Sequence, residues 1–135
     1  MAANNSAQKI ILLVDDDEDE HEIFSSALKH TVDSYNFISV RSCDEALNIL
    51  KDLDPDYIFI DVNMPRINGM TCLQEIKKIK RMANVPVYMY STGINSKEGE
   101  RALQMGAADY IVKPNSISSL STVLRKILKL ELPLQ

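Results

Sequence analysis

The stretch Ile10-Ile11-Leu12-Leu13-Val14-Asp15-Asp16 decides the fold. It begins as a continuous apolar run, rich in β-branched residues, with no polar alternation. A run of that kind suits a strand covered on both faces, as in a parallel sheet clad with helices. It then passes straight into two carboxylates, with no turn residue between.

Four similar runs follow: Phe37-Ile38-Ser39-Val40, Tyr57-Ile58-Phe59-Ile60, Val85-Pro86-Val87-Tyr88-Met89-Tyr90 and Tyr110-Ile111-Val112. Helical patterns lie between them. Ile23, Phe24, Ala27 and Leu28 form one stripe. Ser42 and Glu45 have capping-box spacing ahead of Ala46, Ile49, Leu50 and Leu53. Met70, Leu73, Ile76 and the aliphatic stem of Lys80 trace a third helix. Asn95 and Glu98 make a looser box for a fourth, running from about Ser96 to Met105 with Gly106 as its C-terminal cap. Ile117, Leu120, Leu124, Ile127 and Leu128 mark the fifth. Five strand–helix units in this order predict an α/β domain, a five-stranded parallel sheet doubly wound with helices. The domain is expected over 9–132, between short tails at 1–8 and 133–135.

Length and composition set bounds. At 135 residues the chain fits one domain. A domain of that size buries enough surface to need neither disulfide nor metal merely to fold. The net charge of −4 carries no nucleic-acid footprint and no polybasic membrane patch. No apolar run approaches the roughly 18 residues of a membrane span. The polar start, Met1 to Gln8, lacks the features of a signal peptide, so a cytoplasmic location is expected. Cys43 and Cys72 lack metal-ligand spacing and read as two buried thiols in a reducing compartment.

In doubly wound sheets, ligands bind at the carboxyl ends of the strands, near the point where strand order reverses. The runs end in suggestive residues. The first gives Asp15 and Asp16, the third Asp61 with Asn63 beyond it, the fourth Ser91 and Thr92, and the fifth Lys113. Carboxylates gathered at one edge repel one another and suit a hard cation such as magnesium. His21 and His30 fall in the first helix region, read as exposed, and form no Ser–His–Asp set. No Gly-rich phosphate loop follows the first run. What remains is a carboxylate nucleophile, a metal, a hydroxyl and an ammonium, parts that match phosphoryl transfer to Asp61.

At these residues the chain resembles the response-regulator receiver domains of two-component systems, across about Lys9 to Leu130. The matching pieces are Leu-Leu-Val-Asp-Asp at 12–16, Ile-Asp-Val-Asn-Met-Pro-Arg-Ile-Asn-Gly at 60–69, Ser91, and Gly-Ala-Ala-Asp-Tyr-Ile-Val-Lys-Pro at 106–114. The resemblance implies a flavodoxin-like (βα)5 fold with Asp61 as phosphoacceptor. It implies Mg2+ or Mn2+ on Asp16, Asp61 and the backbone carbonyl of Asn63, with Asp15 acting partly through water. The run of acids leaves Asp17 open as a substitute for Asp15; Asp17 to Glu20 otherwise read as a solvated helix start. Ser91 takes the family's hydroxyl position, Lys113 its lysine, and Tyr110 its switch aromatic. The Lys113–Pro114 bond is expected to be cis, and Thr92 and Asn115 depart from the usual pattern.

The implied partners are a sensor histidine kinase or a histidine phosphotransfer protein, and a downstream protein target. Neither nucleic acid nor membrane is implied, and the chain is expected as a monomer or weak homodimer. Few residues follow Leu130, so signalling by binding is expected rather than through an attached output domain. Such a protein is a phosphoacceptor that promotes its own phosphorylation and dephosphorylation, not an enzyme acting on other substrates. Two rivals stand beside this reading. One is a scaffold of the same fold that binds regardless of phosphorylation. The other is an aspartate-nucleophile phosphatase, which usually needs a second acid where this chain has Asn63. A flavin site is disfavoured by carboxylates in the loop that phosphate would occupy.

Overall fold

The structure, a computed structural model, describes residues 8–29, 35–93 and 95–128. His30 and most of both expected tails lie outside these residues. Five strands run β1 (Lys9–Val14), β2 (Tyr35–Val40), β3 (Tyr57–Ile60), β4 (Val87–Ser91) and β5 (Asp109–Val112). The helices are α1 (Glu18–Lys29), α2 (Cys43–Ile49), α3 (Gly69–Lys77), α4 (Ser96–Gln104) and α5 (Ile117–Ile127), with a 3-10 turn at Lys80–Met82. All strand pairs are parallel, in the order β2-β1-β3-β4-β5. The doubly wound sheet expected from the sequence is present.

Successive strand residues feed opposite layers. Ile11, Leu13, Phe59 and Tyr90 pack with Phe24, Ala27 and Leu28 of α1 and Leu120 and Leu124 of α5. Leu12, Val14, Ile58, Ile60, Val87 and Met89 pack on α2, α3 and α4. Phe24 centres the first layer, with ring centroids 5.4 Å from Phe37, 5.0 Å from Phe59 and 5.6 Å from Tyr90. Because both faces are covered, the apolar runs need no alternation. That is why Ile10–Val14 reads as it does.

Helix starts follow the sequence closely. Asn95 and Glu98 form a complete capping box, with bonds of 2.8 and 3.3 Å. Gly106 follows α4 at φ 109°. At α2 the Ser42 hydroxyl accepts from Glu45 N at 3.1 Å, but the Glu45 carboxylate in return accepts from Arg41 N, one residue early. Asn68 and Ser116 cap α3 and α5 in the same way.

Four expectations are corrected. Lys80 is not part of α3, which ends at Lys77; Lys80 is exposed, and Met82 fills the core there instead. Lys77 accounts for the stop, since its ammonium donates to the carbonyls of Met82 and Val85 at 3.2 and 2.8 Å and folds the chain back. Ile117 begins α5 but is exposed, because the buried stripe starts a turn later at Leu120. Lys113–Pro114 is trans, as is every peptide bond among the described residues; trans is the lower-energy isomer by roughly 0.5–1 kcal/mol.

The fourth correction concerns the cysteines. Cys43 and Cys72 form a disulfide, not two thiols. They open α2 and line α3, neighbouring helices on one face, with Cα atoms 5.6 Å apart, inside the range a disulfide spans. Their separation of 29 residues conceals that proximity.

Candidate phosphoacceptor site

The strand order reverses between β1 and β3, and the carboxylates flank that point. The sheet ladder places them. Asp61 N donates to Val14 O at 2.9 Å and Asp15 N to Val40 O at 3.0 Å, each one residue beyond its strand. Gly69 allows the loop after β3 to close, because any side chain there would collide with the Asp61 carbonyl. Oxygens of Asp15, Asp16 and Asp61 lie within 4.8 Å of one another. Asp15 and Asp61 are buried and Asp16 is exposed, so the cluster opens outward through Asp16. Asp17 is not in this group; its N–H donates to Asp15 Oδ1 at 3.0 Å.

An all-oxygen set of three carboxylates fits a hard divalent cation such as Mg2+ or Mn2+. It fits nothing soft.

Lys113 is the counter-charge. Its Nζ lies 3.0 Å from Asp15 Oδ2, and 3.9 Å from both Asp61 Oδ2 and Glu20 Oε2. It also stands 5.2 Å from the centroid of the Tyr90 ring. Burial pulls the ammonium's pKa down, but the hydrogen bond and charge of Asp15, with Asp61 and Glu20, hold it above the ordinary value. Asp61 also shifts upward, which for a carboxyl favours the neutral form. Burial, then the charge of Asp15, push its carboxyl up to about 6 despite Lys113.

Ser91 is buried at the end of β4, where its Oγ accepts from Asn63 Nδ2 at 3.0 Å. Asn63 N donates to Asp61 Oδ1 at 3.2 Å, so one residue touches both the Asp61 carboxylate and the Ser91 hydroxyl. Thr92 is exposed. Tyr110 lies within β5, two residues before its end. Its ring packs over Gly99 of α4, where a β-carbon would come within 2.5 Å of the ring.

Thus Asp15, Asp16, Asp61, Asn63, Ser91 and Lys113 converge as the strand-end argument requires. Three further groups were not foreseen. Glu20 is not a purely solvated helix residue: it faces Lys113, and the Tyr90 hydroxyl donates to its Oε1 at 3.4 Å. Burial raises the pKa of both Glu20 and Tyr90. His21 is half-buried, not exposed, with Nε2 2.6 Å from the Asp15 carbonyl. A carbonyl only accepts, so that nitrogen carries the proton. The available signal was helical spacing, since Glu20 lies one turn before the core residue Phe24 and shares its face.

The chain belongs to the response regulator receiver domain family, whose sequence profile matches residues 11–125. This is a signalling family of two-component systems, whose receivers interact with histidine kinases or phosphotransfer proteins, and the acidic cluster is compatible with magnesium and an aspartyl phosphate. Among relatives, two-component response regulator ORR8 of Oryza sativa subsp. indica is 32% identical over 123 residues, covering 90% of this chain and 99% of that protein. Sensor histidine kinase CheAY of Helicobacter pylori is 29% identical over 95% of this chain, which spans only 16% of CheAY. The chain likewise spans 40% of the probable transcriptional regulator ycf27 of Porphyridium aerugineum. In structure it is similar to the phosphorylated cyanobacterial phytochrome response regulator RcpA, with a TM-score of 0.81, 28% identity, and 91% and 93% of the two chains covered. The Mn(2+)-bound form of response regulator Rcp1 shares the fold at a TM-score of 0.79 and 24% identity, covering 93% and 97%. Among the described residues no helix is long and apolar enough to cross a membrane.

Proposed function

We propose that the chain accepts a phosphoryl group on Asp61 from a histidine kinase or phosphotransfer protein, in a reaction that needs a divalent cation, and thereby changes its binding to a target protein. One observation carries this reading: a buried Asp61 carboxylate is grouped with two further carboxylates and lies 3.9 Å from the half-buried Lys113 ammonium, with a buried hydroxyl bonded through Asn63. The phosphorylated form described for RcpA supports it by likeness.

In the proposed step an Asp61 oxygen attacks phosphorus while the bond to the donor nitrogen breaks, and the leaving imidazole takes up a proton. With its pKa near 6, Asp61 is largely ionised at neutral pH and ready to attack. Asp15, Asp16, Asp61 and the Asn63 carbonyl would hold Mg2+ or Mn2+. When bound, that cation supplies positive charge against the phosphoryl oxygens.

Lys113 is close enough to meet the new charge with little movement. Ser91 Oγ accepts from Asn63 Nδ2 and so keeps its own O–H proton free; the hydroxyl would move toward a phosphoryl oxygen to donate it. Tyr110 would then follow Ser91 and change the α4–β5–α5 surface. Phosphorylation shifts binding only insofar as it favours one conformer over the other.

The test is intact-mass spectrometry after incubation with acetyl phosphate, with and without magnesium, on wild type and Asp61→Asn. One phosphoryl adduct that requires magnesium and is lost in Asp61→Asn is expected. A wild type that stays unmodified, and that also fails to bind beryllofluoride, overturns the reading in favour of a phosphorylation-independent scaffold.

A further inference from the structure

We infer that Glu20 is a positioning residue that holds Lys113 away from Asp61 until phosphorylation, an inference that rests on the reading of Asp61 as phosphoacceptor. The Lys113 ammonium faces three carboxylates and one ring. It is bonded to Asp15 at 3.0 Å and is equidistant, at 3.9 Å, from Glu20 and Asp61. Asp15 belongs to the cation cluster and Asp61 to the chemistry, whereas Glu20 belongs to neither set.

Glu20 is held in place from behind. It sits in the first turn of α1, and the Tyr90 hydroxyl donates to its second oxygen at 3.4 Å. Tyr90 itself is locked, with its ring buried against Phe24 and its face turned to the Lys113 ammonium. Glu20, Tyr90 and Lys113 thus close a small ring of contacts on the α1 side of the sheet.

The sign of the effect follows from charge. Before phosphorylation Asp61 and Glu20 each carry at most one negative charge and attract the ammonium from the same distance. A phosphoryl group adds negative charge on the Asp61 side, and Lys113 must shift its weight there, partly abandoning Glu20. Glu20 therefore stabilises the unphosphorylated state through Lys113 and resists the phosphorylated one. Removing its charge should favour the phosphoryl-bound state, and only while Lys113 is present.

The experiment is a double-mutant cycle on beryllofluoride affinity at fixed magnesium, followed by amide NMR, in wild type, Glu20→Gln, Lys113→Met and the double variant. Glu20→Asp is the conservative control. Melting temperatures without metal or beryllofluoride verify that each variant is folded. We expect Glu20→Gln to tighten binding several-fold, Glu20→Asp to stay within about twofold of wild type, and Glu20→Gln to change affinity less than twofold in the Lys113→Met background. An equal gain in both backgrounds overturns the proposal, because Glu20 then acts only through the general field of the cluster. No change or a loss in Glu20→Gln also overturns it. If wild type itself does not bind beryllofluoride, the phosphoacceptor reading falls first and takes this inference with it.

Discussion

The ammonium of Lys113 is bonded to Asp15 and not to Asp61: Nζ stands 3.0 Å from one carboxylate and 3.9 Å from the other. Asp15 has no exposed surface, so its partner is what makes a fully buried charge tolerable. The same lysine that is proposed to meet the phosphoryl group is thus part of the resting structure. Replacing Lys113 by Ala leaves Asp15 uncompensated and should cost about 3–5 kcal/mol of metal-free stability. Asp15→Asn in the same chain should restore most of it. Urea denaturation of the three variants checks this, and a Lys113→Ala protein as stable as wild type refutes it.

Asp61 makes stability depend on pH with an unusual sign for a carboxylate. Its folded pKa, about 6, lies above the unfolded value near 3.8, so the folded state holds the extra proton between these limits. The metal-free protein should lose the Asp61 contribution as pH rises from about 4 to 6, with the full penalty present above 6. Asp61→Asn should be more stable than wild type at pH 7.5, by on the order of 2 kcal/mol. The difference between the two proteins should vanish near pH 4. A constant difference across this range would show that Asp61 does not titrate in this way.

Magnesium should reverse that penalty. A cation that binds the folded carboxylates and not the unfolded chain stabilises by about 2.7 kcal/mol at a hundredfold excess over its dissociation constant. Thermal melts with increasing magnesium should rise for wild type and stay nearly flat for Asp16→Asn and Asp61→Asn. Equal rises in all three would place the metal elsewhere.

The Cys43–Cys72 disulfide ties α2 to α3 across 29 residues. Loop-closure entropy gives such a link about 3–4 kcal/mol. Dithiothreitol should lower the melting temperature of wild type, while a Cys43→Ala, Cys72→Ala double variant should melt low and ignore the reductant. Free thiols by alkylation and mass in the unreduced protein would contradict the link.

Gly99 gives Tyr110 its place. A methyl group at this position would meet the ring at 2.5 Å, so Gly99→Ala must push the tyrosine aside. Overpacking of this kind costs about 1–3 kcal/mol, against up to about 1 kcal/mol gained in helix propensity. A lower melting temperature together with a shifted Tyr110 ring resonance is expected. An unmoved resonance would mean the helix yields instead.

What the sequence revealed has a physical pattern. Strand runs, caps and strand-end polar residues are local signals, and Ile10–Val14, Asn95 with Glu98, and Asp61 all stood where those signals put them. The site was legible because a parallel sheet collects its carboxyl ends at one edge, which turns position along the chain into position in space. The misses share the opposite character. Cys43 and Cys72 meet only through the packing of two helices. Glu20 hid among acids of the same kind, and its partner Tyr90 lies seventy residues away. Lys80 fitted the helical period, but three-carbonyl contacts of Lys77 turned the chain first.

The ladder that positions Asp15, Asp61 and Lys113 has a consequence for how this chain can change in length. Each residue follows its strand directly, and Lys113 N is itself bonded to Ser91 O at 3.1 Å. The strands act as rulers, and one inserted residue inside β3 or β5 would turn every later side chain of that strand to the wrong layer. Insertions are therefore intolerable at the edge that carries the acidic cluster. The same addition in an exposed turn at the amino-terminal edge, such as Lys51–Asp52, leaves all three spacings untouched. A reporter or affinity tag built into the protein belongs there.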